Sequence, residues 1–185
     1  DWDNFFGISN AGLPRGMVNR TGYPNDHKLG KNEWLAAVIT ELEKEFDFGI
    51  SITTAISGGN GTITVNTELL NDVNGNYNLV VCLTESNIIN WQKDVEAFPN
   101  VDVEFYVHKH VFRTSINSAW GEALQTSSIY NTCEEIDKSY TINLDNLEQD
   151  NINHSISLGN SGVNGDYGNG NAGGWNKNNI DRKST

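Results

Sequence analysis

His108 and His110 stand two residues apart in Tyr106-Val-His-Lys-His-Val-Phe-Arg113. On an extended strand, side chains at i and i+2 share a face. The two imidazoles are therefore candidate ligands for a transition metal once a third or fourth donor approaches, and His27, His154, Glu104 and Glu122 are the donors that could complete the set. The same histidines also fit a polar network that ties the strand to its neighbouring loops. That is the reading adopted, so no metal and no cofactor is assigned. Cys82 and Cys133 are the two cysteines. Thiol–disulfide exchange needs two thiols within reach, usually Cys-x-x-Cys at a helix start, and this sequence has no such motif. An oxidising compartment permits a Cys82–Cys133 bridge. Two unbridged thiols fit equally well, since Cys82 sits in an apolar run and Cys133 in a polar segment. There is no Gly-x-Ser-x-Gly elbow, Glu134 and Glu135 read as solvated surface, and no catalytic residue is assigned.

The elements that must position these residues follow from periodicity. Val103, Phe105, Val107, Lys109 and Val111 alternate with Glu104, Tyr106, His108, His110 and Phe112, which predicts one strand over 103–112. It runs into Arg113, a turn at Asn117 and Ser118, and then Trp120-Gly121-Glu122. Upstream, Trp34, Leu35, Val38, Ile39, Leu42 and Phe46 recur at helical spacing and predict a helix over 31–46, capped by Asn32 and anchored in a core by Trp34. Phe48 to Ile56 and Thr62 to Thr67 alternate around Gly58-Gly59-Asn60-Gly61, a hairpin with Ile63 and Val65 inside. The run Leu79-Val-Val-Cys-Leu83 is a buried strand. Residues 86–102 read as a loop held by Trp91, Phe98 and Pro99. Tyr140 to Leu144 and Ile152 to Leu158 supply further strands, and the Gly/Asn-rich stretch 159–174 is expected to be mobile.

A net charge of −12 and a pI near 4.6 exclude a nucleic-acid partner, which would need a clustered basic surface. Abundant Gly and Asn suit turn-rich β structure. No run is long and apolar enough for a membrane-spanning helix. The opening Asp1-Trp-Asp-Asn-Phe-Phe reads as the middle of a fold, so further chain is expected outside these residues.

Several spaced motifs agree with one family. Tyr106-x-His108-x-His110-x-x-Arg113, followed by Trp120-Gly121-Glu122, resembles the signature of Omp28-related outer-membrane proteins of Bacteroidetes. Gly12-Leu-Pro14-x-Gly16-Met17-Val18-Asn19-Arg20, the helix opened by Trp34, Thr84-Glu85 and Gln92 follow the same order, and the resemblance covers roughly 5–125. It implies an α+β, mainly β fold. Residues 1–47 would be the C-terminal part of a thioredoxin-like domain, with Pro14 as its cis-proline, and 48–185 an antiparallel immunoglobulin-like β-sandwich. It further implies a non-enzymatic protein of the outer membrane or cell surface of a Gram-negative bacterium. Such a protein would be a lipoprotein held by an anchor outside this chain, binding other envelope proteins or glycans. The alternatives are a periplasmic thiol–disulfide protein with its redox motif upstream, and a metal-binding module using His108 and His110.

Overall fold

The computed structural model describes residues 2–12, 14–94, 102–146, 149 and 180–184, the last five and Trp91 by backbone alone. The chain opens with α1 (Trp2–Phe6), a 3-10 turn at Ser9–Ala11, and β1 (Arg15–Gly16) paired with β2 (Leu29–Gly30). Helix α2 (Trp34–Leu42) follows. Next come β3 (Phe48–Ser57), β4 (Asn60–Leu69), β5 (Val73–Asn74), β6 (Asn78–Leu79), β7 (Val81–Glu85), β8 (Ile88–Lys93), β9 (Asp102–His108) and β10 (Val111–Ser115). The short β11 (Glu122–Ala123) and β12 (Ile129–Tyr130) lead to β13 (Glu135–Asn143), and β14 (Ile180–Ser184) ends the described chain. All the strand pairs are antiparallel. The fold is α+β and mainly β, as the sequence implied.

The core forms where alternation is strict. Along β4, Ile63, Val65 and Leu69 point inward and are almost fully buried. β4 is the middle strand of three, flanked by β3 and β13. The β3–β4 turn is Gly58-Gly59, both with positive φ, the two-residue hairpin connection that needs left-handed backbone at each central position. The inward face of β4 shares one buried cluster with Leu79, Val81 and Leu83, with Leu124 and Tyr130, and with Ile142 and Leu144. β7 lies between β10 and β14, so its continuous apolar run is buried on both faces. Both cysteines are free thiols, Cys82 in this interior and Cys133 on an exposed turn.

Three expectations need correction. First, α2 spans Trp34–Leu42 rather than 31–46, and Asn32 does not cap it. Glu33 stands at the cap position, where its carboxylate instead accepts the Gly30 N–H at 2.7 Å. At the other end Glu43 and Glu45 meet the negative pole of the helix, which disfavours extension. Second, the apolar stripe of α2 is uncovered among the described residues: Leu35, Ile39, Leu42 and Phe46 are all exposed. Trp34 and Ala37 are half-buried instead, the Trp34 indole lying against Gly16 and donating to the Leu29 carbonyl at 3.1 Å. Glu41 binds the preceding loop through Asn19 (2.7 Å) and Thr21 (2.9 Å). Third, Ile88–Lys93 forms a strand rather than part of a loop. Phe98, Pro99, the 152–158 run and the 159–174 stretch lie outside the described residues.

Candidate functional site

The signature residues lie along two successive strand pairs, the first also flanked by β14, and on the loop that follows them. β7 pairs with β10, and beyond them β8 pairs with β9, with Glu85 opposite Val111 and Ile88 opposite His108. Between the two ladders, Ser86-Asn87 confronts Lys109-His110, and both Asn87 (φ 61°) and His110 (φ 55°) are left-handed. The expected single strand over 103–112 is therefore two strands broken at Lys109–His110. The physical reason is local: a left-handed residue cannot continue a ladder, and here each strand contains one. The His110 backbone N–H donates to Ser86 Oγ at 3.1 Å, and the His110 ring nitrogen Nδ1 lies 3.3 Å from the same oxygen.

The break separates the two histidines by role. His108 lies on β9 beside Tyr106, ring centroids 4.8 Å apart, while His110 fastens the break. They do not present a shared i, i+2 face. His27 is buried beneath α1 with Nε2 2.8 Å from the Phe6 carbonyl, and His154 lies outside the described residues. Among the described residues no group of three or more His, Cys, Asp or Glu side chains gathers as a metal site would require.

Arg113 occupies a bulge, where the register shifts between Phe112 and Thr114, and a bulge re-aims its side chain. Its Nε and Nη2 both reach Glu85 Oε2, at 2.8 and 2.7 Å. Glu85 and Arg113 are 4% and 7% exposed at their side chains, so this is a buried ion pair. The sequence named both residues without pairing them. The available signal was a carboxylate closing the apolar run Leu79–Leu83, since a charge on a strand buried on both faces requires a countercharge.

In Trp120-Gly121-Glu122 each residue meets a different element. Trp120 packs edge-on against Phe5, centroids 4.8 Å apart, and near Phe6; the Trp2 indole donates to the Ala119 carbonyl. These contacts seat α1 on the loop. Gly121 has φ +70°, and a Cβ there would come within 2.2 Å of the Leu79 carbonyl oxygen. Glu122 accepts the Tyr140 hydroxyl at 2.6 Å; burial first, and then this bond to a carboxylate, push the Tyr140 phenol well above its ordinary range.

Asn117 was read only as a turn residue, yet it repairs the strand between β6 and β7. Its Oδ1 accepts the Val81 N–H at 3.0 Å, and its Nδ2 donates to the Leu79 carbonyl at 2.8 Å and to Tyr140 at 3.2 Å. The amide thus replaces a peptide unit of a missing neighbour strand. The Leu13–Pro14 bond includes Leu13, outside the described residues. The cis peptide bond that is described is Tyr23–Pro24.

Residues 3–160 match the sequence profile of the family described as Outer membrane protein Omp28. The chain belongs to the Omp28 family. Membership assigns it to the outer membrane or cell envelope. No curated protein and no solved structure gives a significant match. Among the described residues, no helix of this Omp28 chain is long and apolar enough to cross a bilayer, which does not bear on strand-type crossings.

Proposed function

We propose that this chain is a non-enzymatic binding or accessory component of the envelope, a lipoprotein whose anchor lies outside these residues. The observation that carries the reading is the buried Glu85–Arg113 pair. These charged signature residues hold β7 to β10 in the interior, where they cannot meet a substrate, and Trp120-Gly121-Glu122 is likewise engaged in seating α1, β6 and β13. A signature spent on packing supports a scaffold role rather than chemistry. Among the described residues the stripe of α2 is uncovered, which supports reading residues 1–47 as the C-terminal part of a larger, thioredoxin-like domain, and the antiparallel pairing of β3, β4 and β13 supports reading 48–185 as an immunoglobulin-like sandwich. A helix whose apolar side meets nothing is an incomplete layer. Binding partners would be other envelope proteins or glycans.

The test is the intact mass of the protein isolated from its native membrane, with peptide mapping of both termini and the thiols. A diacylated N-terminal cysteine and no thiol pair that cycles between oxidised and reduced forms is the expected result. A mature chain that extends to a cycling Cys-x-x-Cys would overturn the non-enzymatic reading in favour of a thiol–disulfide protein. Stoichiometric metal retained through gentle purification, and lost on changing His108, would overturn it in favour of a metal module.

A further inference from the structure

Beyond the break at Ser86-Asn87 and Lys109-His110, β8 and β9 form a two-stranded arm with two unlike faces. Ile89 lies opposite Val107, and strand alternation puts Phe105 and Val103 on the same side. Ile89 is 64% exposed, Phe105 73% and Val107 44%. The residues sharing this face from β9, and Gln92 opposite Val103, are all uncharged. Lys93, paired with Asp102, and Glu104 all fall on the opposite face with Tyr106 and His108. A two-stranded ribbon with a bare apolar side is marginal in water, and large exposed apolar side chains in a row mark a contact surface.

We propose that this face of the arm docks on the lipid surface of the outer membrane, with Phe105, Ile89 and Val107 entering the boundary between headgroups and acyl chains. Three observations favour lipid over a protein partner. The chain is an outer-membrane family member. Among the described residues of β8 and β9 this face carries no charge, the exposed Lys109 lying past the end of β9, although the whole chain is at −12, so the strand face turned to the bilayer offers nothing that must be desolvated as an ion. The area is small. Three side chains of this size leave on the order of 300 Å² bare, so two copies face to face would cover roughly 600 Å², below the ~1,000 Å² that a specific protein interface needs. A fluid bilayer conforms to a small patch, and such a contact works as the second of two attachment signals. The proposal rests on membership of the envelope and not on how the protein is anchored.

The experiment uses the full mature chain with its acylation site removed, so no lipid anchor contributes, in flotation with zwitterionic phosphatidylethanolamine–phosphatidylcholine vesicles at low and high salt. The expected result is partition into the vesicle fraction that persists at high salt and falls at least about tenfold in F105S. An opposite-face variant, Y106S, should float like the parent. Circular dichroism and thermal melting of both variants establish that they are folded; if F105S is unfolded, I89T replaces it. Absence of parent binding, or equal binding by parent and variant, overturns the proposal. So does a concentration-dependent dimer that F105S dissolves, since the face would then be a protein interface. These outcomes are read separately from the terminal mass analysis, so either reading can fail alone.

Discussion

The Arg113 guanidinium meets Glu85 Oε2 through two of its nitrogens, 2.7 and 2.8 Å away, across the junction of β7 and β10. Both side chains are removed from solvent. An isolated buried charge is far more expensive than the pair is favourable. Arg113→Met should therefore cost about 3–5 kcal/mol, and Glu85→Leu a similar amount. The double variant Glu85→Leu/Arg113→Met should recover most of the loss. Urea unfolding of all four proteins gives the coupling energy. Additive single costs, with no recovery in the double variant, would contradict the pairing.

Gly121 tests the close approach in the loop. Gly121→Ala must accommodate both a left-handed φ and a Cβ driven into the Leu79 carbonyl, and the expected loss is about 2 kcal/mol or more. Gly58 also has a positive φ, but open space surrounds its missing Cβ, so Gly58→Ala should cost only about 1–2 kcal/mol. If the two melt alike, the clash at Leu79 is not limiting.

Asn117→Leu keeps the side chain's bulk and removes the amide. The Val81 N–H and the Leu79 carbonyl lose a partner each, and a cost of about 2–4 kcal/mol is expected. Hydrogen exchange is the sharper readout: the Val81 amide should exchange faster while the amides of β4 keep their relative protection. Unchanged protection at Val81 would show that the amide does not patch the strand.

Glu41 governs part of the acid limb. Hydrogen bonds from Asn19, then Lys44 and Thr21, hold its carboxyl down to about 2, against an ordinary 4.5. A depressed folded value means the contribution is fully present above about 4.5 and is lost as pH falls from there to about 2. Glu41→Gln should flatten stability across that window and leave it unchanged in slope near neutrality. An NMR titration of Glu41 with a midpoint near 4.5 would remove the basis for this.

The sequence was most legible where one face of a strand is buried. Ile63 and Val65 alternate with polar residues, and β4 places both inside. It was less legible on β8, because Ile88-Ile89-Asn90-Trp91-Gln92-Lys93 has no strict alternation, and on α2, whose helical period is real although its stripe is bare. At the signature, spacing alone suggested that His108 and His110 share a face. The left-handed conformation falls at His110 and at the facing Asn87, residue types enriched there, but the alternation runs unbroken through His110 and hid the break. Asn117 illustrates a different limit. Its turn chemistry was readable, but that its amide would span Leu79 and Val81, more than thirty residues upstream, depends on tertiary geometry.

The register of the three-stranded sheet also orders events during synthesis. β4 gains β3 as soon as the hairpin emerges, but its other neighbour arrives late: Thr64 meets Ser139 across 75 residues of chain. Until then Ile63, Val65 and Leu69 lack the Ile142 and Leu144 cover of the finished core. Such long-range closure slows folding and prolongs the exposure of a sticky edge.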